Sequence, residues 1–501
     1  MGNKLGYFAG SFLWGAGAKV LDAAIKFLTI PLLLHYFGKE HYGILTLAIA
    51  TNAYMQLLDM GMNTGGVKFF SQWIAEGNYQ MIDRVARTNI SFYLLIGLLN
   101  SGVLLAIGFW GKGLFKISTE DFYIFRYLLG IMSVFSILNW LIFVFNQLLI
   151  ADEKIVFTQQ MLIIKSILGL IVIGATLVFK LTLLQYFFYY LLVNAVVIVP
   201  YYLLCRKHKL VSSIVPAFYW NDFSVVFKYG LAILVMGLFQ FTATQSRPLI
   251  LGMFAKDGVG VLSEYRIIEM FPVFIISIGG MFITIFLPHV SKAVQNNDRM
   301  AIEKMAYEGT FFTSILISFM CFPIILCSPE LLTLYVGTEY SHLSIWLMLW
   351  VFTLTLYLHN TPVSSLVLAT GKTRMLVYSS AIACVISLII NAFLANRFGV
   401  GSAVIGYLIY IIIQMNFYYL YFNNRILNIN SFRVFKKFIV PTGLAFLATI
   451  IVMLLPIDFK SLFLMMVVKV VLWAVMYVTI MFVFKVISFE DLKFKLKTFR
   501  E

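Results

Sequence analysis

The residues best suited to chemistry are three charges set in an otherwise apolar stretch, Lys19, Asp22 and Lys26. Spacings of three and four put them on one face of a helix, and Gly15 and Thr29 extend the stripe. Three charges at the centre of a membrane helix cost roughly 7–10 kcal/mol on insertion scales. Such a helix spans a bilayer only with its stripe turned toward protein or water. Two lysines against one aspartate leave the stripe cationic, and the ligand that would use it is an anion. The alternative is a buried Lys–Asp pair that fixes packing, with Lys19 snorkelling.

Three further segments carry polar stripes. Asn52, Gln56, Asp59 and Asn63 follow one another at spacings of four, three and four. Gln240, Thr244 and Arg247 share a face, and Arg266 and Glu269 can meet across one turn. Ionisable groups inside membrane helices are functional candidates by default. In these four segments Lys19, Lys26, Arg247 and Arg266 stand against Asp22, Asp59, Glu264 and Glu269. The carboxylates either hold the cations ionised or take up protons or sodium. Lys165 and Lys469 stand alone in their spans, and His359, beside Asn360 and Pro362, reads as a packing or gating residue with a proton relay as the alternative.

The elements that must position these groups follow from composition. Of 501 residues 61% are hydrophobic and 12% are charged, about half the charged content of a soluble domain. The chain is therefore a membrane protein. About 20 apolar residues span the hydrocarbon core. Fourteen such stretches occur, near 12–34, 42–61, 89–110, 123–149, 158–179, 184–204, 229–252, 262–287, 309–328, 343–369, 375–395, 402–421, 438–456 and 463–484. With both termini cytoplasmic, the cytoplasmic segments hold 23 of the 37 Lys and Arg, the outer loops 7 and the helices 7. This obeys the positive-inside rule and accounts for a net charge of +15 without nucleic acid. Clusters such as Arg206/Lys207/Lys209 and Arg433/Lys436/Lys437 read as cytoplasmic anchors, with a binding site for membrane-lipid headgroups as the alternative. The first apolar run is too long and too charged for a cleavable signal peptide. Cys205, Cys321, Cys327 and Cys384 have no ligand spacing and read as packing residues. Neither a metal site nor a cofactor motif is present, and the short loops hold no catalytic acidic pair, so an enzyme is not expected.

An internal repeat organises the chain. Residues 31–45, PLLLHYFGKEHYGIL, align without a gap to 248–262, PLILGMFAKDGVGVL, with seven of fifteen positions identical, among them Pro31/Pro248, Lys39/Lys256 and Gly43/Gly260. Segments 82–86 and 302–306, and 148–154 and 366–372, keep nearly the same offset. The shift spans six helices, so the halves insert with one orientation, and parallel repeats place a substrate site at their interface. The expected domains are a six-helix lobe over 1–215, a second over 216–435, and two added helices with a cytoplasmic tail over 436–501.

Residues 37–78 carry a family resemblance. Gly38/Tyr42/Gly43 form a G-x-x-x-Y-G turn, Leu58/Asp59/Met60/Gly61 an LDxG stretch, and Lys68 begins a basic loop; FLPHVSK at 286–292 adds a proline-containing helix ending. In these features the chain resembles the polysaccharide-export flippases of the multidrug/oligosaccharidyl-lipid/polysaccharide (MOP) superfamily. The resemblance implies an all-α, MATE-like V of two six-helix lobes around a central cavity lined by the four striped segments, working by alternating access. It implies a polyprenyl pyrophosphate-linked oligosaccharide of O-antigen, capsule or exopolysaccharide type as substrate. It also implies a bacterial cytoplasmic membrane and polysaccharide polymerases or ligases as partners. One departure is Ser246, where the family often has an acidic residue before the arginine, here Arg247. On this reading Lys19, Lys26, Arg247 and Arg266 bind substrate. Asp22, Asp59 and Glu269 couple or balance charge, and Asn52, Gln56, Gln240 and Thr244 line the cavity. The rivals are a lipid II flippase, with the same pyrophosphate chemistry, a multidrug antiporter, against which the lysines argue, and more remotely a membrane glycosyltransferase.

Overall fold

The computed structural model describes the backbone of residues 2–53, 55–295, 298–370 and 374–486. The side chains of residues 2–16, Lys19, 55–58, Met60, Ala232, Met236, 278–293 and Gln295 are outside the described set. The Lys19 and Gln56 side chains and those of the 286–292 helix ending therefore lie outside the described residues. All regular structure among the described residues is helical. Among the described residues eleven helices are long and apolar enough to cross a membrane, or twelve with the pair Trp220–Val235 and Gly237–Phe254, which meet at 58°. The stretches expected at 42–61 and 262–287 are helical at every residue whose backbone is described. The chain is thus the all-helical, multi-pass protein that its hydropathy predicts.

Several boundaries differ from expectation. Helix α1 (Gly2–Ala53) takes in the first expected span and the first part of the second, and breaks only at Gly38, where φ 79° and ψ 167° suit glycine alone. Helix α2 (Met55–Ala75) runs well past residue 61, so the expected basic loop at Lys68 is helical. The tenth expected span divides at His359–Asn360, because Pro362 cannot continue the preceding hydrogen-bond ladder.

The chain forms two compact units, residues 1–266 with 387–403, and 267–386 with 404–501. The first contains α1, α2, α3 (Tyr79–Trp110), α4 (Thr119–Ala151), α5 (Ile155–Phe179), α6 (Leu183–Val196), α7 (Ile198–Lys207), α8 (Trp220–Phe254) and the start of α9 (Gly260–Gln295). Polar caps start several of these helices. Asn78 accepts from Met81 N, Ser118 from Asp121 N, and Thr182 forms a capping box with Gln185; each cap is worth about 1 kcal/mol. The core joins Phe70, Tyr93, Trp140, Phe145, Leu210, Val211 and Phe223.

Three close approaches hold this unit together. A Cβ on Gly43 would collide with the Val259 carbonyl, and one on Gly260 would lie 2.7 Å from Glu40 Oε1, so the two repeated turns face each other. Lys39 Nζ donates to Glu264 Oε1 and Ser263 Oγ to the Lys39 carbonyl, which fixes this contact. Further along α2, Gly61 packs directly on the Gly230 carbonyl of α8, and a Cβ on Gly65 would sit 3.0 Å from Val226 O. This is the small-xxx-small device by which membrane helices approach closely. One turn on, the Lys68 ammonium lies 4.1 Å from the Tyr229 ring centre. The segment joining α7 to α8 is strapped along α3. Asp83 accepts from Ser212 N at 2.7 Å and Ser212 Oγ at 3.1 Å, and Arg87 Nε donates to Val215 O at 3.0 Å. Thr88 Oγ1 accepts from Tyr219 N, and Ser91 Oγ donates to Ala217 O.

The second unit contains α10 (Arg299–Leu326), α11 (Ser328–Val336), α12 (Ser344–Leu358), α13 (Thr361–Ala369), most of α14 (Arg374–Phe398) and α15 (Val400–Phe417), α16 (Ser431–Leu454) and α17 (Leu462–Val483). The last two helices pack on α10 through Phe322, Leu326, Ala445, Ala448, Val452, Trp473 and Tyr477. Trp473 Nε1 donates to Thr449 Oγ1 at 2.9 Å. Lys469 does not stand alone. It donates to Glu330 Oε1 at 2.5 Å, with the two side chains only 18% and 11% exposed. His359 is fully buried, bonded to Thr355 O and Tyr419 Oη and stacked on Phe438 at 3.7 Å between ring centres, so it packs the core.

Candidate functional site

The candidate site is built on α1 and α5. Asp22 accepts from Lys26 Nζ at 2.7 Å on Oδ2 and from Ser166 Oγ of α5 at 2.9 Å on Oδ1. The serine bond fixes the register of α5 against α1. That register brings Lys165, the next residue, into electrostatic reach of both Lys26 and Asp22. Lys165 makes no hydrogen bond or ion pair of its own among the described residues. The Lys26 side chain, 53% exposed, is bound to Asp22 on one side and open on the other. One aspartate thus serves two lysines, with Lys19 a turn earlier on α1. A group of this kind attracts a multivalent anion, because each ammonium retains donors that a single carboxylate does not satisfy.

The stripe on α2 turns into the first unit. Tyr93 Oη donates to Asp59 Oδ1 at 2.8 Å, Gln147 Nε2 donates to Tyr93 Oη at 2.8 Å, and Asn89 Nδ2 donates to Gln147 Oε1 at 2.9 Å. This chain of neutral groups joins α2, α3 and α4 behind the buried carboxylate. Asn52 accepts from Asn100 Nδ2 at 2.7 Å, which ties α1 to α3. On α8, Gln240 is exposed, while Thr244 Oγ1 and Arg247 Nε donate to carbonyls of their own helix, Phe241 O at 2.8 Å and Ala243 O at 3.0 Å. Arg247 is buried, and Arg266 and Glu269 on α9 are half-buried. Glu264 serves Lys39. Of the expected site residues, the structure brings Asp22 and Lys26 together and places Asp59 and Asn52 in separate contacts with α3.

The sequence singles out Lys165 but leaves it alone in its span, and it does not point to Ser166, Tyr93, Gln147 or Asn89. A signal existed for placing Lys165 and Ser166 against α1: an excess cation on one span and a Lys-Ser pair alone in another predict a shared interface. Gln147 and Asn89 were lone amides in apolar runs, and nothing local says that they meet. Among the described residues no group of three or more His, Cys, Asp or Glu could hold a metal.

No protein-family model matches the chain, and no curated protein matches it. Solved structures do. The chain is similar to the lipid II flippase MurJ in an inward closed conformation, at a TM-score of 0.72 and 14% identity, covering 93% of this chain and 97% of that one. It is similar to an inward-facing multidrug-resistance MATE transporter of the MOP superfamily, at 0.67 and 14%, covering 83% and 96%. It is also similar to a MOP superfamily transporter from Pyrococcus furiosus, at 0.57 and 14%, covering 81% and 94%. At these identities the likeness establishes the fold.

Proposed function

We propose that this chain is a flippase that carries a polyprenyl pyrophosphate-linked oligosaccharide from the cytoplasmic to the outer leaflet of a bacterial cytoplasmic membrane by alternating access. The observation that carries the reading is the Lys26–Asp22–Lys165 group, an excess of positive charge on membrane-spanning helices where an isolated cation is costly. A pyrophosphate supplies the missing anion. The shared fold with a lipid II flippase supports a lipid-linked substrate, and makes lipid II the second reading; a multidrug antiporter would take cations and fits this group poorly. Lys19, Arg247 and Arg266 complete the cationic path, Asp22, Asp59 and Glu269 balance or couple charge, and Asn52, Gln56, Gln240 and Thr244 give it polar lining. The lobes over 1–215 and 216–435 are the moving parts, with 436–501 an addition and both termini cytoplasmic. Polysaccharide polymerases or ligases would receive the product.

The test is surface glycan measured in four variants. Lys26→Arg is expected to retain most export, because charge matters more than shape. Lys26→Ala and Lys26→Gln are expected to lose about tenfold or more, with the protein still in the membrane, since a charge-assisted hydrogen bond is worth about 1.5–3 kcal/mol. Recovery in the double variant Lys26→Ala with Asp22→Ala would show that the pair only fixes packing and would end this reading. Dispensability of the gene for growth separates a surface glycan from lipid II.

A further inference from the structure

The buried carboxylate of Asp59 lies outside the anion-binding group and has no cation to neutralise it among the described residues. Its neighbours are the neutral donors Tyr93 and Asn63. The charges on the elements around it are engaged elsewhere. Lys68 of α2 lies over Tyr229, Arg84 of α3 pairs with Asp222 at 3.9 Å, and Arg87 donates to Val215 O. On α8 Lys228 is exposed and the buried Arg247 donates through Nε to Ala243 O, and α1 spends Lys26 and Lys39 on Asp22 and Glu264. From α4 the side chain facing the group is Gln147, which does not titrate. A buried anion held by neutral groups alone is relieved most simply by a proton. Sodium fits less well. The Tyr93 oxygen and the Gln147 carbonyl already accept hydrogen bonds, so the carboxylate has few free oxygens to help it hold a metal ion.

The position of Asp59 gives that proton a mechanical consequence. Residues two apart on a helix point about 200° apart, so Asp59 and Asn63 look toward α3 and α4 while Gly61 and Gly65 pack on α8. On the α4 side a Cβ at Gly66 would collide with Gln147 Oε1. Helix α2 is therefore wedged between two close contacts, and neither can change without the other. We propose that Asp59 is a proton-binding site whose occupancy controls the α2–α8 seam at Gly61–Gly230. The proposal goes beyond the substrate reading and does not depend on it.

The experiment uses the full-length protein reconstituted in phospholipid vesicles, without substrate. Infrared difference spectra between neutral and acidic pH are expected to contain a protonated-carboxyl band that Asp59→Asn removes; the amide keeps an acceptor for Tyr93. Asp59→Glu retains a carboxyl and is expected to move the band without abolishing it, which covers misfolding of the Asn variant. In the same vesicles the pair Lys68→Cys/Tyr229→Cys is treated with a short thiol cross-linker. Its yield is expected to change several-fold over the pH range in which the band appears, and to become independent of pH when Asp59→Asn is added. A band untouched by Asp59→Asn, a seam yield flat with pH while Asp59 is present, or a yield that follows sodium at fixed pH each overturns the proposal. Because no glycan takes part, these outcomes are distinct from failure of the flippase reading.

Discussion

Replacing Lys165 with methionine is expected to lower glycan export by about ten- to a hundred-fold while the protein still reaches the membrane. The magnitude is that of one charge-assisted hydrogen bond, about 1.5–3 kcal/mol, with tenfold for each 1.4 kcal/mol. Methionine matches the length and apolar stem of lysine, so α5 keeps its packing on α1. Ser166 keeps its bond to Asp22, and the change removes a charge and little else. If Lys165 and Lys26 hold the same anion, the two single losses will not add in the double variant, because removing either partner already breaks the shared contact. Export at the wild-type level in Lys165→Met would instead make Lys165 a second counter-ion to Asp22, with no part in substrate binding.

The second large effect concerns stability. Lys469→Met with Glu330 intact is expected to destabilise the second unit by about 3–5 kcal/mol, the usual cost of stranding one member of a buried ion pair. Glu330 is the worse member to strand, since its Oε2 is buried without a hydrogen bond even with Lys469 in place. Adding Glu330→Gln should recover most of the loss, because a neutral pair carries no uncompensated charge. Trp473, one turn from Lys469 and fully buried, supplies the readout as intrinsic fluorescence in a thermal melt of the detergent-solubilised protein. Equal melting of the single and double variants would show that the ion pair contributes nothing to holding α17.

How much was legible in the sequence depended on the range of the interaction. Spans were readable because a bilayer imposes length and apolarity on each segment separately. The Gly43/Gly260 equivalence was readable because a duplicated contact leaves the same residue type twice. The pairing of Lys26 with Asp22 lay within one turn, where spacing alone determines geometry. The partners of Lys469 and Asp59 were not readable. Glu330 is 139 residues from Lys469 in the chain, and Tyr93 is 34 from Asp59. Hydropathy sets no register between one helix and another. The continuation of α2 to Ala75 was missed for a related reason. Asn63, Thr64, Gly65, Gly66 and Lys68 look like a loop by polarity, yet Gly65 lets α8 approach and Gly66 makes room for Gln147 of α4.

The strap between α7 and α8 bears on how relatives of this chain can be recombined. A junction between two tandem copies would ordinarily be the natural place to splice the first half of one protein to the second half of another. Here residues 212–219 are bonded to Asp83, Arg87, Thr88 and Ser91 of α3, and Phe223 and Phe227, just beyond, meet Phe92 of the same helix. A crossover at residue 215 would therefore divide one hydrogen-bonded surface between two parents. Residues 212–227 belong with α3 as an inherited block, and a working chimera must take both from one parent.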